Sequence, residues 1–395
     1  MWVEELVSAM GAELLGRLVG EVITPGTELR VAARLRRDYP PALVSAALAQ
    51  HELRCHAREK FTRAERMFFT RAGLEQATSE VVARHRAARF AGAARVGDLC
   101  CGIGGDLIAL AGQREVIAVD RDPVHLRMAL LNAQAYAVAA TVTTVHADVR
   151  EVDLSSVDAV FIDPARRVHG NRVHGNRMRA GDSEPPLSWA TSLLERVPSV
   201  GIKAAPGIAR GAVPPGWEVE FIAERRNLKE AALWSPALVT ATSRATILPE
   251  GHVLLPLPGP PVEHRDPGEF LLDPNPAVTR AGLVEDLARD LGAWKIDPQI
   301  AFLSSDVALR TPFARTLRVL DSRPWEQKAL PSRLRALNIG SVDIRRRGLA
   351  GDVDDLHRQL KLRGTRRATL VMTRVSDRPW ALICVDLDPP VESLS

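Results

Sequence analysis

A glycine-rich turn between an apolar strand and a helix is the feature that most limits what this chain can fold into. Residues 95–106 read Arg-Val-Gly-Asp-Leu-Cys-Cys-Gly-Ile-Gly-Gly-Asp. A strand ends at Asp98, glycines follow at positions 102, 104 and 105, and Leu-Ile-Ala-Leu-Ala at 107–111 continues as a helix. Because such a turn brings backbone N–H groups and a helix N-terminus together, we predict that it admits a nucleotide-like ligand.

The spacing of the glycines argues against a dinucleotide cofactor. The G-x-G-x-x-G pattern needs a third glycine at position 107, where Leu107 stands. The residues fit D-x-x-x-G-x-G instead, and the next strand, 116–120, ends in Asp120, 18 residues after Gly102. A carboxylate at that position can accept hydrogen bonds from both hydroxyls of a ribose. This order is typical of an S-adenosylmethionine site.

Two further strands continue the series of acids at strand ends. Residues 142–146 read as a third strand that ends before Asp148, which is placed to meet an adenine amino group. Residues 160–162 form the fourth and end in Asp163-Pro164. Open parallel sheets bind ligands along the edge formed by the carboxyl ends of their strands. The ordered set therefore predicts one site at this edge.

At these residues, and over roughly residues 50–250, the chain resembles the class I methyltransferases, in particular an RNA-methyltransferase-like group related to trimethylguanosine synthase. Residues 60–70, 73–79 and 162–167 look like bacterial proteins that join this domain to a carboxyl-terminal THUMP-like domain. The resemblance implies a Rossmann-like α/β domain whose seven-stranded sheet has an antiparallel last strand, and a THUMP-like α+β domain at about residues 315–387.

Composition and patterning divide the chain into four parts. The length of 395 residues, with 46% hydrophobic and 25% charged residues, fits two domains and an extension. Residues 1–90 are expected to be a helical extension and residues 91–250 the methyltransferase-like domain. Residues 251–276 are interpreted as a linker, because eight prolines and three glycines lie between positions 249 and 276. Residues 277–395 are expected to hold the α+β region.

Periodicity supplies finer expectations. Leu6, Met10, Leu14 and Leu18 recur at helical spacing, and Asn275-Pro276 begins a helix that Gly292 closes. The remaining strands are expected at 200–203, 217–222 and up to 248 in the first domain, and at 316–320, 341–345, 368–373 and 381–385 in the second, with a helix near 354–362.

Charge and cysteine usage bear on partners and compartment. The net charge is +4, yet residues 333–378 hold twelve Lys or Arg against five acids. The repeat Arg-Val-His-Gly-Asn at 167–176 lies in a loop, 166–179, with five arginines and no acid. These segments predict an RNA partner, although a solvated mobile loop explains the repeat equally well. Four cysteines without ligand spacing and the lack of a long apolar run predict a cytoplasmic protein without metal or membrane.

The acceptor side of the site is expected to use Asp163, Pro164 and Lys203 as catalytic residues. Asp163 can accept a hydrogen bond from an exocyclic amine, and Pro164 fixes the preceding carbonyl as another acceptor. Lys203 closes the fifth strand, where it either neutralises a phosphate or lies in solvent. In amino-methylating relatives this motif is Asp or Asn, Pro, Pro and an aromatic residue, whereas residues 163–166 read Asp-Pro-Ala-Arg, so that Arg166 has to stack or bind phosphate instead.

By resemblance, a wider set of residues lines the donor and substrate sites. The donor-binding residues are expected to be Asp98, Cys100, Gly102, Gly104, Gly105, Asp120, Arg121, Asp148 and Val149. The substrate-contacting residues are expected to be Phe69, Gln76, Arg166 and Arg167. Packing is the alternative for the adjacent thiols at 100 and 101 and for the aromatic pair at 68 and 69.

The resulting hypothesis is an S-adenosylmethionine-dependent methyltransferase that methylates an exocyclic or ring nitrogen of a base in structured RNA. Two alternatives stay open. One is a small-molecule methyltransferase with a structural tail, and the other is a non-catalytic RNA-binding protein that retains the donor pocket. The departure of residues 163–166 from the relatives' motif keeps the second alternative open.

Overall fold

The structure is a computed structural model that describes residues 2–166, 183–360 and 362–387. Its contacts divide the chain into two compact units. Unit 1 comprises Met1–Glu218 and Glu230–Thr240, and unit 2 comprises Val219–Lys229 and Ala241–Ser395. None of the helices within these described ranges is long and apolar enough to cross a membrane.

Short helices form the amino-terminal part of unit 1, as the periodicity predicts. They are α1 (Trp2–Val7), α2 (Ala9–Leu18), α3 (Glu28–Leu35), α4 (Pro41–Ala57), α5 (Arg71–Gln76) and α6 (Glu80–Ala87). Leu6, Leu14 and Leu18 are buried together, but Met10 is 48% exposed. The reason is a break between α1 and α2, where the Ser8 side chain accepts a hydrogen bond from the Gly11 N–H and starts a new helix.

An α/β layer follows in chain order. Its helices are α7 (Gly105–Ala111), α8 (Pro123–Ala135) and α9 (Leu187–Ser192). Its strands are β1 (Arg95–Leu99), β2 (Glu115–Asp120), β3 (Val142–His146), β4 (Ala159–Ile162), β5 (Ala165–Arg166), β6 (Ser183–Glu184), β7 (Ser199–Ala204), β8 (Glu218–Glu224), β9 (Asn227–Trp234), β10 (Ser243–Leu248) and β11 (His252–Leu254). In unit 1 the strand order is β9-β7-β4-β1-β2-β3, and β5 pairs with β6 alone.

The pairing in unit 1 confirms the predicted Rossmann-like α/β class. β1 runs parallel to both β2 and β4, β2 parallel to β3, and β4 parallel to β7. The carboxyl ends of these strands therefore share one edge of the sheet, with the turn after β1 at its centre. β1 and β4 are almost wholly buried, as expected for central strands covered on both faces.

The antiparallel strand is not the one that the resemblance implies. Residues up to 248 were the expected last strand, but β10 runs parallel to β8, whereas β9 runs antiparallel to β7. Trp234, at the end of β9, lies opposite Gly201. A Cβ atom at position 201 would stand 2.7 Å from the Trp234 ring, so glycine is what allows the ring to cover the strand.

Unit 2 contains a seven-stranded sheet. Its further helices are α10 (Pro276–Ala281), α11 (Val284–Leu291), α12 (Leu330–Ala336) and α13 (Val353–Leu360). Its further strands are β12 (Phe270–Pro274), β13 (Trp294–Lys295), β14 (Leu303–Ser305), β15 (Ala314–Pro324), β16 (Ile339–Arg346), β17 (Arg366–Val375) and β18 (Arg378–Asp386). The order is β13-β14-β12-β15-β18-β17-β16, and only β16 and β17 pair in parallel among these described strands.

The predicted strands and helix of the carboxyl-terminal α+β region are present, but two local expectations differ. The proline-rich stretch 251–276, which was expected to be a linker, contains β11 and β12. Because β12 pairs with both β14 and β15, the carboxyl-terminal part of this stretch belongs to the sheet of unit 2. The helix expected up to Gly292 is interrupted at Gly282. That residue adopts a left-handed conformation with φ of 68°, which ends α10 before α11 begins.

Candidate functional site

The turn after β1 has the backbone geometry that its glycines allow. Cys100, Gly102 and Gly104 have positive φ values of 62°, 53° and 86°. At Gly104 a Cβ atom would stand 3.1 Å from the Ala129 backbone, so α8 would have to move by a few tenths of an ångström to admit a side chain. Left-handed conformations are strained for residues with a Cβ atom, which explains the glycines at 102 and 104. Gly105 then opens α7.

Asp98 is a buried carboxylate without a donor. The residue is 1% exposed, and neither carboxylate oxygen has a hydrogen-bond partner among the described residues. Burial, reinforced by the negative charges of Asp106 and Asp163, raises the pKa of Asp98 well above its ordinary value. Because an unpaired buried polar group is unfavourable, the geometry is that of a site completed by an external hydrogen-bond donor.

Asp120 ends β2 and faces the same turn. Its Oδ2 accepts a hydrogen bond from the Gly102 N–H at 2.8 Å, and its Oδ1 accepts one from the Asp122 N–H at 2.9 Å. An ionised carboxylate has about four acceptor positions, so both oxygens can still receive hydroxyl groups of a ribose. The neighbouring Arg121 is exposed, and its carbonyl is 3.1 Å from the His146 ring nitrogen Nε2.

Asp148 and Val149 follow β3 at the next position along the edge. The Asp148 side chain forms an ion pair with Arg150, with 3.1 Å between Oδ2 and Nη1, and it also accepts a hydrogen bond from the Arg150 N–H. Val149 is buried. A partly exposed carboxylate beside a buried aliphatic side chain suits an adenine ring, which presents an amino donor on a flat apolar surface.

Asp163 and Lys203 meet on the other side of the turn. Ile162 of β4 pairs with Ile202 of β7, which places the two following residues side by side. The Lys203 Nζ donates a hydrogen bond to Asp163 Oδ2 at 2.6 Å, and the side chains are 15% and 31% exposed. Burial opposes the charge of Lys203, but the carboxylates of Asp163 and Glu230 outweigh it and raise the pKa of the lysine. The ammonium therefore stays charged.

Sequence reasoning missed a group of buried polar residues beneath this pair. Arg86 of α6 is 1% exposed, and it forms ion pairs with Asp106 and, at 2.8 Å, with Glu230. Its guanidinium lies 4.5 Å from the centre of the Phe161 ring. Thr78 accepts a hydrogen bond from Arg86 and another from Lys203. Asp106 was the one member of this group that the sequence could have indicated, because it directly follows the glycines of the turn. The other members are remote from the turn in sequence.

The expected substrate-contacting residues are not all brought to the site. Phe69 is completely buried in a cluster that includes Phe61, which agrees with the packing alternative. Gln76 is exposed at the end of α5. Pro164 directly follows Asp163, and the side chain of Arg166, the whole of Arg167 and the rest of the basic loop lie outside the described residues.

The thiol at position 100 has a structural environment rather than that of a nucleophile. Burial and then the carboxylates of Asp120, Asp163 and Asp98 raise the pKa of Cys100 far above its ordinary value, so the thiol stays protonated. Within the described ranges, no group of three or more His, Cys, Asp or Glu residues is placed to hold a metal ion.

The residues present fit an S-adenosylmethionine donor. Asp98 offers two unused oxygens for the cationic amino group, and Asp120 offers acceptor positions for the ribose. Asp148 and Val149 offer a polar and an apolar contact for the adenine. The carboxylates at this edge also create a negative field, which suits a ligand that carries a sulfonium.

Comparison with protein families agrees with the two halves of this description. Residues 93–179 match the family model "RNA cap guanine-N2 methyltransferase", and residues 314–385 match "THUMP domain-like". Residues 2–57 match a domain family of unknown function.

Two curated relatives and one solved structure cover most of the chain. The relatives are proteins of Mycobacterium tuberculosis strains CDC 1551 and H37Rv, each described as an uncharacterized S-adenosylmethionine-dependent methyltransferase. Each is 38% identical over 318 residues, which are 78% of this chain and 84% of the relative. A crystal structure of a putative methyltransferase from Porphyromonas gingivalis W83 matches 93% of this chain and 100% of its own, with a TM-score of 0.73 and 19% identity.

Proposed function

This chain belongs to the S-adenosylmethionine-dependent methyltransferases, and we propose that it methylates an exocyclic or ring nitrogen of a base in structured RNA. The enzyme class and the methyl donor are those of the family. The observation that supports the proposal for the acceptor is the ion pair of Asp163 and Lys203, because Asp163 follows β4 at the same sheet edge as the residues proposed to bind the donor.

The chemistry of the donor sets what the protein has to do. S-adenosylmethionine supplies a methyl group on a positively charged sulfur, which an acceptor nitrogen can displace in line. Asp98, Asp120 and Asp148 would hold the donor through its amino group, ribose and adenine. The remaining task of the protein is to hold a nitrogen lone pair about 3 Å from the methyl carbon and to exclude water.

Asp163 is suited to the acceptor side. An Asp163 oxygen can accept a hydrogen bond from the N–H of the base, which turns the nitrogen lone pair toward the methyl group. When the new N–C bond has formed, the nitrogen loses its extra proton, and the same oxygen can receive it. Lys203 holds the Asp163 side chain through the 2.6 Å hydrogen bond to Oδ2, and the backbone carbonyl before Pro164 can accept a second hydrogen bond from an amino group.

Exposed arginines in unit 2 support a polyanionic substrate. Arg366 and Arg367 at the start of β17 and Arg363 shortly before it are exposed, and the ion pair of Arg367 with Asp343 is itself largely exposed. Exposed ion pairs contribute little free energy, so a phosphate can replace such a partner at low cost. The family matches to an RNA cap methyltransferase and to a THUMP-like domain support the same substrate class.

The test is transfer of labelled methyl groups to total RNA from a strain that lacks the protein. We would compare the wild-type protein with Asp163→Asn and with a matched control, Asp38→Asn. Asp38 suits the control because it is an exposed carboxylate whose ion pair with Arg17 is long, at 3.6 Å. We expect label in RNA with the wild-type protein and the control, and a loss of at least 100-fold with Asp163→Asn, about the effect of removing one general base. Equal labelling by all three proteins would refute the role of Asp163.

The same preparation separates the alternatives. RNA binding through several arginines should weaken steeply between 50 and 200 mM salt, roughly tenfold or more, whereas capture of a neutral small molecule should hardly change. Donor binding with label only in a small-molecule extract would favour a metabolite methyltransferase. Salt-dependent RNA binding without label in either fraction would favour a non-catalytic RNA-binding protein.

A further inference from the structure

Thr78 occupies a position that the proposed chemistry does not use. It lies between α5 and α6 and is 7% exposed, although its hydroxyl group makes polar contacts in two directions. Thr78 Oγ1 accepts a hydrogen bond from Lys203 Nζ at 3.0 Å and another from Arg86 Nη2 at 2.8 Å. A hydroxyl oxygen has two acceptor positions, so both are occupied by buried cations.

The hydroxyl determines where the Lys203 ammonium can sit. A lysine side chain has four rotatable carbon–carbon bonds and ends in a small charge with three donors, so a single partner orients it weakly. Here Nζ has two described acceptors, Asp163 Oδ2 at 2.6 Å and Thr78 Oγ1 at 3.0 Å. Two acceptors in different directions hold the ammonium against one particular oxygen of Asp163.

Arg86 connects this contact to the donor side of the site. Its guanidinium is paired with Asp106, in the first turn of α7, and with Glu230 of β9. The backbone of residue 78 also packs on the glycine turn, since a Cβ atom at Gly105 would stand 3.2 Å from the Thr78 carbonyl oxygen. One buried residue therefore contacts both the turn that holds the donor and the lysine that holds the acceptor carboxylate.

We propose that Thr78 is a positioning residue, whose hydroxyl fixes Lys203 against Asp163 and so aligns the acceptor carboxylate with the glycine turn. The inference rests on the proposed function, because it assigns Thr78 a part in the same methyl transfer. Its contribution is made through Lys203, to which its hydroxyl is hydrogen-bonded.

The test compares Thr78→Val, which keeps the shape of the side chain and removes the hydroxyl, with Thr78→Ser, which keeps the hydroxyl. The assays are donor affinity by calorimetry, kcat and KM for methyl transfer to total RNA from the strain lacking the protein, and thermal stability. We expect Thr78→Val to bind the donor within about twofold of the wild-type protein and to lose about tenfold or more in kcat, the usual effect of one lost hydrogen bond to a charged group.

The split between kcat and the two binding constants separates positioning from a merely structural role. A displaced ammonium leaves the Asp163 carboxylate misaligned, so kcat should fall in Thr78→Val while KM and donor affinity stay within about twofold of the wild-type values, and kcat should return in Thr78→Ser. If Thr78→Val does not fold, Thr78→Cys and Thr78→Ser form a second pair of similar size, because sulfur is a much weaker acceptor than oxygen.

The outcomes are distinguishable from failure of the proposed function. An inactive wild-type protein would refute the function itself. An active wild-type protein with an unchanged kcat in Thr78→Val would overturn the inference and leave the function standing. Parallel losses in donor affinity, kcat and thermal stability would also overturn it, because they describe a structural residue.

Discussion

Replacing Asp98 by asparagine should stabilise the free protein at higher pH and weaken donor binding, two effects of opposite sign from one atom change. The residue is 1% exposed and both oxygens lack partners among the described residues, so its ionised form is poorly solvated. Asparagine resembles the protonated carboxyl in shape and charge. The substitution therefore isolates the effect of ionisation, with little change in packing.

The sign of the stability effect follows from the raised pKa. The folded protein binds the Asp98 proton more tightly than the unfolded chain, in which the pKa of this carboxyl is about 3.9. The stabilisation from this proton is fully present below that value and is lost as pH rises through the folded pKa. Within that window the free energy of unfolding of the wild-type protein should fall by about 1.4 kcal/mol per pH unit relative to Asp98→Asn.

Donor binding should depend on the same carboxylate in the other direction. A hydrogen bond to a charged group contributes about 1.5–3 kcal/mol, so Asp98→Asn should weaken donor affinity about 10- to 150-fold at pH values where Asp98 is ionised. Below the folded pKa, binding of a cationic amino group has to expel the proton. The wild-type affinity should then fall about tenfold per pH unit as pH decreases, whereas the variant should show no such dependence from this site.

Two measurements check both effects. Urea unfolding between pH 5 and 9 gives the stability difference. Calorimetry with S-adenosylhomocysteine and with S-adenosylmethionine, in buffers of different ionisation enthalpy, counts the protons released on binding. Asp38→Asn serves as the control for loss of an exposed carboxylate. Parallel stability curves, or a donor affinity in Asp98→Asn equal to that of the wild-type protein at every pH, would show that Asp98 is not the buried carboxylate that receives the donor.

Two other substitutions test the backbone and the charges of the fold. Gly104→Ala should lower the free energy of unfolding by about 1–3 kcal/mol in thermal unfolding, because φ is 86° and the new Cβ would press on Ala129. Gly16→Ala, which has open space around it, should be neutral or slightly stabilising. Equal effects of the two substitutions would refute the strain argument. Asp273→Ala should lower the free energy of unfolding in urea by about 1.5–3 kcal/mol, since it deprives three arginines of a buried carboxylate. Asp343→Ala, which removes one member of an exposed ion pair, should change it by less than about 1 kcal/mol. Similar losses in both variants would contradict the role of burial.

Strand-end positions were the most predictable part of the molecule. β1, β4 and β7 are largely buried strands that end close to Asp98, Asp163 and Lys203, and the more polar β3 ends two residues before Asp148. The apolar pattern of the strands and the residues that end them were enough to predict that these side chains meet at one edge. Phe69 was less predictable, because an aromatic side chain has the same appearance in sequence whether it covers a ligand or fills a core.

β9 could not be recognised, because its local pattern favours another structure. Residues 227–234 read Asn-Leu-Lys-Glu-Ala-Ala-Leu-Trp, which has the composition of a helix, yet burial of the apolar half beside β7 makes it a strand. Glu230 within it would be read as a surface residue. Its partner Arg86 lies in the sequence Arg-His-Arg of α6, which also looks solvated, and only the fold brings the two charges together.

The alternation of the two units along the chain limits how this protein can be divided, whether by truncation in the laboratory or by recombination in evolution. Unit 1 is completed only by Glu230–Thr240, after the chain has already supplied Val219–Lys229 to unit 2. During synthesis, unit 1 is incomplete until residue 240 has left the ribosome. Until then Arg86 lacks its ion-pair partner Glu230, which lies in the last segment of the unit. Neither unit is a continuous segment, so a single cut cannot release one intact, and a recombination event near residue 250 would transfer an incomplete carboxyl-terminal unit.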